Sequence, residues 1–175
     1  ISTSLPVNVV PIPVASISTD PTVCAGDQTN VNFSGTSLSN ASYTWNVGSA
    51  TIVAGNGTTS NPYTLSWNTV GPTNLSLIVN QHGCRDTAQA NVQVYAIPTS
   101  LFTAPASVCA NSSINVNYTG NATGAASYTW DFDGATVLSG SGQGPYSLSW
   151  PAGGNNNITL NVTENGCSST PTIIP

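Results

Sequence analysis

Few side chains in this sequence could do chemistry. The cysteines are Cys24, Cys84, Cys109 and Cys167, the single histidine is His82, and the carboxylates are Asp20, Asp27, Asp86, Asp131, Asp133 and Glu164. Four thiols can hold zinc or form disulfides. Structural zinc sites draw their thiolates from close pairs such as C-x-x-C, and the sequence has none. Disulfides are the better reading, and they imply an oxidising compartment. A Ser-His-Asp triad would need His82, which stands in the turn Gln81-His82-Gly83. Asp131 and Asp133 are two residues apart and would share one face of a strand at about 7 Å. Glycoside hydrolysis needs two such carboxylates flanking a cleft, and a strand offers no cleft. The pair is a weak candidate for calcium, which wants more oxygen ligands than two carboxylates supply. No catalytic residue and no other cofactor are assigned, and the chain is not expected to be an enzyme.

The elements that carry these residues are written twice. Ala-Ser-Tyr-Thr-Trp occurs at Ala41 to Trp45 and again at Ala126 to Trp130. Cys24 to Cys109 and Trp45 to Trp130 are steps of 85 residues; Tyr63 to Tyr146, Trp67 to Trp150 and Cys84 to Cys167 are steps of 83. A period this long suits a small complete domain rather than a solenoid repeat. His82 has no histidine counterpart, because the second copy reads Glu164-Asn165 at the matching place. The duplication gives each module one cysteine pair, so the expected bridges are Cys24–Cys84 and Cys109–Cys167. Each would close a loop of about 60 residues, worth roughly 4 kcal/mol in the chain-entropy model. A module of this size has a marginal core and benefits from such a staple.

Only 4% of the residues are charged, the net charge is −5, and Arg85 is the only basic residue besides His82. Without cations the usual electrostatic route to nucleic acid or to anionic membranes is closed. No apolar run approaches the roughly 18 residues of a membrane span. Asn, Ser, Thr and Gly supply the polarity, as in extracellular β-proteins, so the expected location is extracellular or at a cell surface.

Period-two alternation marks short strands at Val14 to Ser18, Val31 to Phe33, Tyr43 to Val47, Thr51 to Val53, Tyr63 to Trp67, Leu75 to Val79 and Ala90 to Tyr95. The second copy repeats them at Ile114 to Tyr118, Tyr128 to Phe132, Tyr146 to Trp150 and Ile158 to Val162. Turns such as Ala54-Gly55-Asn56-Gly57 and Val70-Gly71-Pro72 separate them. Such spacing signals an antiparallel sandwich of the immunoglobulin-like kind. Trp45 and Trp130 are then core residues, with Trp45 expected over the Cys24–Cys84 bridge. Trp67 shares a face with Tyr63 and Leu65, and Trp150 with Tyr146 and Leu148, which favours core over a sugar-stacking platform.

The segments divide as residues 1–10, 11–96 and 97–175. Val7-Asn8-Val9-Val10-Pro11-Ile12-Pro13 matches Val92 to Pro98, so residues 1–10 read as the last strand of a preceding module or a donor strand. Counting from the second Gly-Cys, Pro175 aligns with Val92, and the last strand of the second module is expected to be incomplete. An excised stretch of a continuous array or a strand-donating subunit would give this pattern, and both expect head-to-tail association. The short linker Ala96-Ile97-Pro98 is expected to hold the modules in a semi-rigid line.

With Val-Cys, Tyr-x-Trp-x-Phe, Gly-x-Gly-x-x-Pro-Tyr-x-x-x-Trp and Gly-Cys in place, the chain resembles tandem PKD and PKD-like immunoglobulin-fold modules. The likeness is to those repeated in surface and secreted proteins of Bacteroidota. Trp130-Asp131-Phe132-Asp133-Gly134 approaches that family's W-D-F-G-D-G, while Trp45-Asn46-Val47-Gly48-Ser49 lacks both carboxylates. The resemblance implies an extracellular location, tandem arrays and no catalysis. Asp86-Thr87-Ala88 also resembles a Bacteroidota O-glycosylation acceptor, with Thr87 as the candidate.

Two readings follow. The first is a structural segment of an extracellular surface fibre or adhesin, its partners being neighbouring copies or modules of the same protein. The alternative is a non-catalytic carbohydrate-binding or spacer module of a secreted polysaccharide-degrading enzyme, with surface glycans or polysaccharide as partners.

Overall fold

A computed structural model of the chain describes residues 4–58 and 61–175. It divides into two compact units, Ile1–Tyr95 and Ala96–Pro175. Among the described residues every regular element is a strand. In the first unit these are β1 (Ile17–Ser18), β2 (Thr22–Cys24), β3 (Gln28–Phe33), β4 (Ser42–Asn46), β5 (Thr51–Ala54), β6 (Tyr63–Ser66), β7 (Gly71–Gln81) and β8 (Cys84–Tyr95). They form two sheets, in the orders β1-β3-β6-β5 and β2-β8-β7-β4. Apolar residues at every second position leave each sheet one greasy face, and the two faces close on each other. Thr73, Leu75, Leu77, Val79 and Gln81 of β7 are buried in this way. Val31, Leu65 and Trp67 meet them from the other sheet.

The second unit repeats the design with β9 (Phe102–Thr103), β10 (Ser113–Tyr118), β11 (Ser127–Asp131), β12 (Thr136–Ser139), β13 (Tyr146–Ser149), β14 (Ile158–Glu164), β15 (Cys167–Ser168) and β16 (Thr172–Ile174). Its sheets are β9-β10-β13-β12 and β11-β14-β15, with β16 also on β14. Val116, Leu148, Leu160 and Val162 are fully buried between them. The chain is thus two tandem immunoglobulin-like β-sandwiches.

One hairpin runs the length of the first sandwich. β7 and β8 pair without a break from Gln81↔Cys84 to Gly71↔Val94. His82 and Gly83, at φ +49° and +87°, make the two-residue turn whose twist matches the strands. Alternation placed β8 from Ala90 only, because the stretch from Cys84 to Gln89 has no large apolar residue to show the period. Val70-Gly71-Pro72 was expected as a turn, yet Gly71 and Pro72 begin β7. β4 pairs only as far as Asn46↔Ser76, so Pro72 lies where β7 has a neighbour on one side, and a missing N–H is tolerated there.

In the second unit the matching edge is broken. β15 pairs Glu164↔Cys167 and Thr163↔Ser168, but β16 pairs Leu160↔Thr172, one residue out of that register. The extra residue falls between Ser169 and Pro171, where Ser169 Oγ accepts from Val162 N–H at 3.0 Å. Asn161 Nδ2 donates to the Ser169 carbonyl at 2.9 Å. Proline cannot donate to the ladder, and a bulge accommodates it. Pro175 therefore takes the repeat position of Asn91, not that of Val92.

Residues 4–10, the described part of the surplus strand, have no strand partner among the described residues. Val7 and Val9 are 81% and 86% exposed. The incoming chain is gripped further on. Val14 bridges Thr36, and Ala15 N–H donates to Asp86 Oδ2 at 2.7 Å. With a second bond from Thr87 N–H at 2.8 Å, these donors hold the Asp86 carboxyl below the ordinary carboxylate range. A depressed folded pKa stabilises the fold above the unfolded value, and that contribution disappears as pH falls through the folded value. Acidification through the depressed Asp86 value, below the ordinary carboxylate value of about 4, should therefore weaken the hold of Asp86 on Ala15. Urea unfolding midpoints should fall with acid more steeply in the natural chain than in Asp86→Asn; identical pH profiles would contradict this anchor.

Candidate functional site at the module poles

Each sandwich has two poles, and the cysteines mark them. In the first unit the leading pole holds the β7–β8 turn and the incoming chain. Gln81, 1% exposed, accepts at Oε1 from Leu38 N–H (2.6 Å) and donates from Nε2 to the Pro11 carbonyl (2.9 Å). Cys84 closes this turn. The trailing pole lies where β8 ends. There β2 pairs parallel with β8, Cys24 opposite Tyr95, and Ala25 N–H donates to the Tyr95 carbonyl at 2.8 Å.

This register overturns the expected bridges. Cys84 stands eleven residues before Tyr95 in the same strand, which at about 3.3 Å per residue separates it from Cys24 by roughly 36 Å. A disulfide needs Cα atoms within about 7 Å. In the second unit Cys167 faces Glu164 at one end of β14. Cys109 lies beyond the other end, where Asn111 N–H donates to the Trp150 carbonyl at 2.8 Å and Asn157 N–H to Asp133 Oδ2 at 2.9 Å. Neither Cys24–Cys84 nor Cys109–Cys167 forms. Cys84 and Cys109 carry free thiols, while Cys24 and Cys167 are disulfide-bonded. The duplication sorted the cysteines correctly by module, but sharing a module is not proximity.

The two aspartates are not a strand pair. β11 ends at Asp131, and Asp133 sits in the following turn at φ +47°. Asp131 Oδ1 accepts from Asp133 N–H at 3.0 Å. Asn46 does the same for Gly48 N–H at 2.9 Å in the first unit, so the turn needs a side-chain oxygen and no charge. Among the described residues no group of three His, Cys, Asp or Glu side chains is placed to hold a metal.

His82 Nε2 lies 2.6 Å from Asn40 Nδ2, within the leading turn. Its neighbour Gln81 has Glu164 as counterpart, whose Oε1 accepts from Thr123 N–H at 3.1 Å and from the Thr123 hydroxyl. Tyr128 donates to the Thr123 carbonyl at 2.8 Å. Burial, with Tyr118 and Glu164 close by, holds its hydroxyl above the ordinary tyrosine range. These groups knit loops together within each unit. Thr87 is exposed on β8, opposite Ile78.

The tryptophans divide by burial. Trp67 is 1% exposed and donates from Nε1 to Thr29 Oγ1 at 2.9 Å. Trp150 is 8% exposed, with Nε1 3.3 Å from the Asp133 carbonyl. Neither presents a face to a sugar. Trp45 packs edge-on against Tyr63 at 5.9 Å, and the Cys24–Cys84 bridge expected beneath it does not form. Its Nε1 is buried without a partner among the described residues. Trp130 Nε1 donates to the Gly142 carbonyl at 3.0 Å, but the matching Gly57 carbonyl accepts from Phe33 N–H instead. Trp130 instead joins Phe102, Phe132 and Tyr146 in an aromatic cluster with centroids about 5 Å apart.

Comparison with known proteins agrees with this architecture. Residues 95–173 match the family model described as PKD-like domain. No curated protein matches the sequence. Extracellular domains 3–5 of Drosophila OTK share 10% identity at a TM-score of 0.55, over 94% of this chain and 59% of that one. The fibronectin(III)-like modules of Clostridium thermocellum CbhA share 24% identity at a TM-score of 0.40, over 91% and 90% of the two chains. The family match over the second unit and the OTK likeness support immunoglobulin-like modules.

Trp67 separates a packing role from a sugar-binding one. Trp67→Ala is expected to cost about 3–5 kcal/mol of stability in denaturant unfolding, as large core truncations do. A loss below about 1 kcal/mol would mean that the ring is not held in the core.

Proposed function

We propose that this chain is a lengthwise structural segment of an extracellular fibre or adhesin on a bacterial surface, assembled from immunoglobulin-like modules joined head to tail. The observation that carries this reading is the pole-to-pole path of the chain through a module. In the first unit it enters at the leading pole, where Pro11 is tied to Gln81, and leaves at the trailing pole, where Tyr95 is tied to Ala25. A module threaded in this way adds length with each repeat and takes tension along its long hairpin. The disulfide-bonded state of Cys24 and Cys167 fits an oxidising, extracellular setting.

The chemistry left unassigned also favours a structural role. The carboxylates of Asp86, Asp131, Asp133 and Glu164 are engaged by loop and strand N–H groups. Both tryptophans weighed as a sugar platform are core residues, which removes the feature that favoured carbohydrate binding. Exposed Leu5, Val7, Val9 and Ile12 at the leading end are apolar surface suited to a neighbouring module.

Sedimentation velocity across a concentration series, with reductant present, tests the reading. Head-to-tail contact should raise the weight-average sedimentation coefficient stepwise with concentration. A chain that stays monomeric to millimolar concentration would sink the fibre assignment and leave an isolated spacer.

A further inference from the structure

The two free thiols occupy positions whose repeat counterparts are oxidised. Cys109 corresponds to Cys24 and Cys84 to Cys167, and Cys24 and Cys167 are both disulfide-bonded. The turns around the paired positions match, although Cys24 lies in β2 and Cys109 in no strand. Asp27 N–H donates to the Cys24 carbonyl and Ser112 N–H to the Cys109 carbonyl, both at 3.0 Å. Gly26 N–H reaches the Trp67 carbonyl as Asn111 N–H reaches that of Trp150, both at 2.8 Å. Cys84 and Cys167 each end a two-residue turn with consecutive positive φ values, 49° and 87° in one and 52° and 82° in the other. Cys109 is exposed and Cys84 half-buried.

Strand register forbids either thiol a partner within its own module, because each module's two cysteines stand at opposite poles. A disulfide at these positions therefore leads out of the module. Cys109 marks the trailing pole of the second unit and Cys84 the leading pole of the first. We propose that Cys109 of one copy forms a disulfide with Cys84 of the next, trailing pole to leading pole, so that copies are joined covalently along their length. This proposal rests on the head-to-tail reading above and names the atoms that seal the junction.

The chemistry is thiol–disulfide exchange with a small disulfide oxidant such as oxidised glutathione. The exposed Cys109 thiolate attacks one sulfur of the oxidant, forming a mixed disulfide and releasing one small thiol. The Cys84 thiolate of the neighbouring copy then attacks Cys109 Sγ and releases the second small thiol. Two protein thiols lose their protons and two electrons in all, and one oxidant molecule becomes two thiols.

The test uses the whole chain in an oxidised and reduced glutathione buffer, followed by non-reducing electrophoresis. Peptides from pepsin digestion at low pH, where exchange stops, are then identified by mass spectrometry. The expected result is a ladder at multiples of 17.8 kDa, with Cys109 peptides joined to Cys84 peptides. Cys84→Ser and Cys109→Ser should each remove the ladder, and an equal mixture of the two variants should stop at a dimer. Persistence of both thiols in alkylatable form, or like-to-like links as abundant as Cys84–Cys109 links, would overturn the proposal. If the Cys84–Cys109 link fails to form while sedimentation in reductant still shows assembly, only the disulfide is refuted; if both fail, the head-to-tail reading falls with it.

Discussion

Strand register along the β7–β8 hairpin is the constraint on which the first module depends. Pairing is unbroken from the tight turn at His82-Gly83 to Gly71↔Val94, so one ladder spans the sandwich from pole to pole. Its inner face supplies Leu75, Leu77, Val79, Val92 and Val94 to the core. The same ladder fixes where everything else can be. It holds Cys84 at one end, carries Tyr95 with β2 and Cys24 to the other, and presents Asp86 to Ala15. Slipping the register by one residue would turn that apolar row outward, so the distance between the cysteines is as firmly set as the core itself.

The second module shows how much variation the design absorbs. A one-residue bulge at Ser169–Pro171 shifts the edge strand, yet Leu160 and Val162 stay fully buried because the displaced segment is re-tied through Ser169 and Asn161. Elsewhere the two copies solve one problem with different atoms. Gln81 and Glu164 both offer an oxygen to the same loop N–H, and Asn46 and Asp131 both cap the same turn. Charge is optional at these positions, so amide oxygens can serve as well as carboxylates in a chain with 4% charged residues.

Period-two alternation and the duplication made the sandwich class and the buried Trp67 and Trp150 legible in the sequence, while Trp45 and Trp130, also expected in the core, are only partly buried against it. Short β2, β9, β15 and β16 carry too few residues to show a period. The polar first half of β8 hides a continuous strand for the same reason. The disulfide pairing was illegible for a different reason. Spacing along the chain records which module a cysteine belongs to, whereas bonding depends on the end of the sheet at which the register leaves it. Likewise Asp131 and Asp133 looked like a same-face pair until the positive φ of Asp133 took the chain out of the strand. The functional consequence is that the cysteines do not staple each module shut. They stand at its two ends.

The separation of the poles can be measured directly. In a Cys109→Ser, Cys167→Ser variant, spin labels on Cys24 and Cys84 report their distance by pulsed electron resonance. The register predicts a separation of roughly 36 Å, eleven strand steps of about 3.3 Å. A distance below about 15 Å, or a Cys24–Cys84 disulfide that blocks labelling, would contradict the account.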